Sequence, residues 1–127
     1  MPPQREKSEQ LARAFREREA IRLQAGIITR FLQSRRPWAV LPPGERRVEM
    51  TRLVVAAGYL ECYQPGIYAV MIQLKQMLVA IEKNQADKTE TQKSIEALMA
   101  KLQQGLNALM QMLDQAVKTN QAVAEGG

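Results

Sequence analysis

The chain has 127 residues, of which 46% are hydrophobic, 24% charged and 5% aromatic, and it carries a formal net charge of +5. Two full domains do not fit in this length, and the apolar share is too high for a disordered chain, so one modest domain with a thin core is expected. The absence of His, with Cys62 the single Cys, excludes imidazole catalysis, His-ligated metals, an internal disulfide and thiolate metal clusters. No enzyme, cofactor or metal is expected.

The opening MPPQREKSEQ has no apolar stretch of the kind a secretory signal needs, so export by that route is not expected. Ser8 reads as the N-cap of a long first helix from Glu9 to about Gln33. Leu11, Ala14, Phe15, Ile21, Ala25, Ile28 and Leu32 form one stripe at helical spacing, and Leu23, Ile27 and Phe31 form a second. Arg18 and Arg22 project into the first stripe; Arg13, Arg16 and Arg30 point elsewhere. Such a helix does not bury cleanly in a monomer.

Residues 34–44, SRRPWAVLPPG, contain three Pro, so the helix must stop and a strap must follow. Trp38 in this strap, beside Arg35 and Arg36, reads either as a base-stacking aromatic or as an anchor on the edge of a helical core. The anchor is the better reading.

A second helix is expected from Glu45 to about Tyr63, with Arg46, Arg47 and Arg52 in its first half. Gln64-Pro65-Gly66 ends it, and a third helix follows from Ile67 to Ile81. That break divides the nearly uncharged run Leu53–Leu74 into pieces too short to cross a bilayer, so membrane insertion is not expected. After the polar segment 82–94, apolar spacing resumes from Ile95 to about Val117, and AVAEGG reads as a fraying tail.

Ile67, Leu74, Ile81, Lys88, Ile95, Leu102, Leu109 and Ala116 share one seven-residue register, reinforced by Met71, Leu78, Met99, Leu106 and Leu113. Either one long helix runs through the polar waist or the two arms pack as a hairpin. The capping box Thr89-Glu90-Thr91-Gln92 favours the hairpin, whereas the lack of Gly and Pro favours continuity. The hairpin is preferred. The Met residues read as gap-filling interface side chains.

Charge is the most informative feature. All eleven Arg lie within residues 1–52, where they and Lys7 face six Glu for a net of +6; residues 53–127 carry a net of −1. Guanidinium groups fork onto phosphate oxygens, so Arg13, Arg16, Arg18, Arg22, Arg30, Arg35, Arg36, Arg46, Arg47 and Arg52 are the candidate nucleic-acid-binding residues. The plainer reading pairs Glu9 with Arg13, Glu19 with Arg22 and Glu49 with Arg52 as exposed helical ion pairs. No glycine-rich phosphate loop is present, and a strap of eleven residues does not match a helix-turn-helix, which points to backbone contact without sequence readout.

The fold expected is all-α and oligomer-forming: an Arg-rich N-terminal helical arm and Pro-rich strap (1–44), then a hydrophobic helical hairpin or bundle for assembly (45–127). An all-helical, His-free chain with this Arg-rich helix, Pro-rich strap and neutral hairpin resembles the major capsid proteins of filamentous and rod-shaped archaeal viruses. That resemblance implies dimers that wrap double-stranded DNA in its A form, in a virion. It is one of architecture, without a short motif. The partners expected are nucleic acid, most readily double-stranded DNA, and further copies or a related second subunit. The alternative is a cytoplasmic oligomeric adaptor whose Arg half meets an acidic protein or an anionic membrane surface.

Overall fold

The computed structural model describes residues 3–34, 38–83 and 88–126 and is all-helical over them. Helix α1 spans Pro3–Gln33, a short 3-10 turn spans Trp38–Val40, and α2, α3 and α4 span Pro43–Leu60, Ile67–Glu82 and Lys88–Gly126. Pro3 and Pro43 occupy first helical positions, where a missing N–H costs nothing. Ser8 therefore lies inside α1 and does not cap it. Likewise α4 continues through AVAEG, residues expected to fray.

The chain turns back at 61–66, beyond Glu61, which caps α2 and itself keeps helical dihedrals (φ −57°, ψ −39°). Its carboxylate accepts the backbone N–H of Gly66 (2.9 Å) and of Tyr68 (2.8 Å), satisfying donors at the start of α3 that have no intrahelical partner. Gly66 adopts φ +96°, a left-handed conformation that glycine takes without steric penalty. These two hydrogen bonds hold the Glu61 carboxyl below its ordinary range. Helix α2 thus stops at Leu60 instead of Tyr63.

Helix α3 packs against α4. Gly105 lies beside Ile67 and Gln64, while Ile95 and Met99 share a groove with Leu78 and Ile81, so the two helices run antiparallel as the hairpin expected. The box residue Gln92 donates forward to Glu96 (3.4 Å). The seven-residue register is the buried seam: Ile67, Met71, Leu74, Leu78, Ile95, Leu102, Leu106, Leu109 and Leu113 are all in the core. Met77, Met99 and Met110 pack around it, as gap-filling side chains do.

The remaining pairings are α1 with α2, α2 with α3, and α1 with α4. Ile21, Ala25 and Ile28 of α1 belong to the same core cluster as Leu53, Ala56 and Leu60 of α2 and the α3–α4 seam. Residues 1–44 and 45–127 therefore share one core, which α1 joins through its C-terminal half at Ile21, Ala25 and Ile28. At about 1.5 Å per residue α1 is about 46 Å long and α4 about 58 Å, against about 27 Å for α2. Tyr63 meets Glu17 and Gln64 lies at Gly105, so the first turns of α1 and the last of α4 run past the α2–α3 turn. Leu109 and Leu113 stay buried there, and α1 also packs on α4.

Among the described residues no helix is long and apolar enough to cross a membrane.

Candidate functional site

Of the ten candidate arginines, Arg13, Arg16, Arg22, Arg30, Arg47 and Arg52 are exposed. Arg18 and Arg46 are half-buried, and Arg35 and Arg36 lie outside the described residues. The first stripe of α1 explains Arg18: at about 100° per residue it sits at the edge of the face set by Ile21, Ala25 and Ile28. Its Nη1 is shielded from solvent and has no hydrogen-bond partner. Arg22, expected in that stripe, is instead exposed, as is Phe15 at 57%.

Arg46 is engaged within the chain. Its Nε lies 3.5 Å from Glu82 Oε1, close enough for an ion pair but not aligned as a hydrogen bond. Trp38 Nε1 donates to the same oxygen at 2.7 Å, and the indole meets Phe31 edge to face, with centroids 6.2 Å apart at 86°. Trp38 is therefore the anchor of the strap, pinning it to α1 and to the end of α3.

The other arginines are freer than the sequence spacing suggests. Glu9 pairs with Arg5 (3.4 Å) and not with Arg13, and Glu17 accepts the Tyr63 hydroxyl at 2.8 Å. That hydrogen bond to a carboxylate, aided by burial, pushes the Tyr63 phenol up to about 12. Among the described residues neither Glu19–Arg22 nor Glu49–Arg52 forms an ion pair. Among the described residues, six exposed guanidiniums, at positions 13, 16, 22, 30, 47 and 52, are thus left without an ion-pair partner.

No protein family model, curated protein sequence or solved structure matches this chain. The site therefore has to be read from its own geometry.

On α1, Arg13, Arg16 and Arg22 spread around the solvent side of the helix instead of forming a single row. Arg30 and Arg52 both line a further feature. This is an open groove of about 1220 Å³, walled by α1 and α2 and floored by the ends of α3 and α4. Leu23, Ile27 and Phe31, the second stripe of α1, line it with Val48, Ile81 and Ile95. Leu23 and Val48 are 60% and 57% exposed. That second stripe was the available signal: it had no partner in the sequence, and α2 covers it only in part. Among the described residues no three acidic or Cys side chains gather to hold a metal.

Proposed function

We propose that this protein is a non-enzymatic structural protein that coats nucleic acid, most readily double-stranded DNA, by sequence-independent phosphate contacts, and that it repeats along the polymer as a filamentous capsid subunit in a virion. The observation that carries the reading is the set of six exposed guanidiniums of α1 and α2 that form no ion pair among the described residues, opposite an α3–α4 pair that contains no Arg. Each such group forks onto phosphate oxygens with several donors. Their spread around α1 suits a helix laid along or between duplex surfaces better than a groove-reading helix with one face. Arg46, held at Glu82, and Arg18, tucked at the core edge, contribute less.

The test is purification without nuclease followed by absorbance at 260 and 280 nm, then a salt titration of duplex binding. Bound nucleic acid is expected to co-purify, and Arg16→Ala with Arg22→Ala is expected to reduce the salt slope by about 2 if each contacts one phosphate. Protein free of nucleic acid that binds no duplex at low salt overturns the reading. It leaves the adaptor alternative, in which the Arg half meets an acidic protein or an anionic membrane.

A further inference from the structure

The apolar seam expected to join subunits is used up inside the chain. Leu102, Leu106, Leu109 and Leu113 are at most 2% exposed, leaving no face of that seam for a neighbour. On the basic half, the groove between α1 and α2 leaves apolar surface open, with Leu23 and Val48 at its rim more than half exposed. We infer that this groove is the interface with a second copy of the same chain, the two copies meeting face to face through α1 and α2. The inference rests on the self-associating part of the proposed coat and not on its nucleic-acid part.

Size argues first. Small-molecule pockets are typically about 300–1,000 Å³, and this groove is larger, at about 1220 Å³, and half open. From Leu23 to Ser34 it runs about 16 Å along α1, which suits several side chains of a helical partner.

Charge then selects the partner. Four charged residues line the groove, Arg30, Arg52, Glu45 and Glu49, and none makes an ion pair or side-chain hydrogen bond among the described residues. A nucleic acid or an acidic peptide seated here meets both Glu residues as like charges, which opposes docking. The facing groove of a second copy carries both signs in equal number, two Arg and two Glu. A two-fold contact presents the same patch to itself, so two guanidiniums and two carboxylates on each side find opposite charges on the other. The same operation carries the protruding Leu23 and Val48 toward the apolar wall of the facing groove. Arg13, Arg16, Arg22 and Arg47 remain for phosphate.

Nucleic-acid-free protein, prepared by nuclease digestion and verified by its absorbance ratio, is examined by sedimentation equilibrium in about 0.1 M salt, with circular dichroism to verify folding. The wild type is expected to be a dimer or larger. Arg30→Glu with Arg52→Glu, and separately Glu45→Arg with Glu49→Arg, are each expected to weaken association about tenfold or more, and an equimolar mixture of the two to restore it. Leu23→Ser with Val48→Ser, at two exposed positions, is expected to give a folded monomer. Should a charge variant unfold, this serine pair decides the matter alone. A monomeric wild type, charge variants that associate like wild type, or a mixture that does not recover overturns the inference. A monomeric wild type that still binds DNA with a steep salt slope leaves the coat's nucleic-acid part standing while this interface fails.

Discussion

Replacing Leu109 by Ala separates the fold from the assembly. Leu109 is fully buried, in the stretch of α4 beyond Gly105. The change removes three carbons, so lost burial alone costs about 2.4 kcal/mol at about 0.8 kcal/mol per methylene. The cavity left behind brings the total to about 3–5 kcal/mol. For a chain of this length the unfolding entropy is about 0.27 kcal/mol/K, so the melting temperature should fall by at least about 10 °C. Leu23→Ala, at an exposed position on the groove, should change it by about 2 °C or less, because surface substitutions stay within about 0.5 kcal/mol. Thermal melts by circular dichroism and sedimentation of the same two variants read this out. Leu109→Ala is expected to melt early with its salt slope on DNA unchanged; Leu23→Ala is expected to melt normally and associate more weakly. A silent Leu109→Ala together with a destabilising Leu23→Ala would refute the assignment of the α4 seam to the intrachain core.

Other outcomes follow from the turn at 61–66 and its neighbours. In an ultraviolet titration one of the three phenols should ionise late, at about 12, and Tyr63→Phe should abolish that step; persistence of the step in Tyr63→Phe refutes the Glu17 hydrogen bond as its cause. Because the folded phenol value is raised, the stability this contact supplies is fully present below the ordinary tyrosine value and is lost as pH rises through the folded one. The Glu61 carboxyl is lowered, so its contribution is present above the ordinary carboxylate value and is lost as pH falls through the folded one. The advantage of wild type over Glu61→Gln in a urea melt should therefore shrink between about pH 7 and about pH 3; a constant gap contradicts the capping role. Gly66→Ala, at φ +96°, should cost about 1 kcal/mol or more. Gly105→Ala should stabilise by about 0.5–1 kcal/mol, since its new Cβ meets Gln64 at 3.7 Å and Ile67 at 3.8 Å, both ordinary contacts. Equal signs for the two glycine changes would refute that contrast.

Helix positions were legible wherever burial is periodic or Pro and Gly punctuate the chain. Most of the seven-residue register from Ile67 to Leu113 is the buried seam, with Ile81 and Met99 only partly buried at its edge, and Pro42-Pro43 and Gly66 bound their helices. Helix ends without such marks were not legible. The polar turns of α1 before Ser8 and of α4 on either side of its apolar stretch stay helical through residues such as Gln, Lys, Glu and Ala, which favour helix without burying anything. The C-terminus of α2 depends on Glu61 reaching Gly66 and Tyr68, a hydrogen-bond choice that periodicity does not encode. The candidate site was legible as composition: the sequence located the arginines but not which of them are spent. Arg46 is tied to Glu82, thirty-six positions along the chain, and Glu17 to Tyr63, forty-six along. Such pairings arise only when distant helices pack. The division of labour also shifts for the same reason. A heptad seam is equally suited to a neighbouring subunit or to another helix of the same chain, and here the chain supplies its own partner, so the unpaired apolar surface moves to α1 and α2.

The central claim is that the exposed guanidiniums of α1 and α2 bind nucleic-acid phosphate, and a salt titration on a random-sequence DNA duplex tests it most directly. With each phosphate contact worth about −0.9 in the slope of log K against log salt, four contacts from Arg13, Arg16, Arg22 and Arg47 give about −4, and all six exposed arginines give about −5. A slope in that range, with random and defined duplexes bound alike, is the predicted result. A slope near zero, or a preference of about a hundredfold or more for one sequence, contradicts the account.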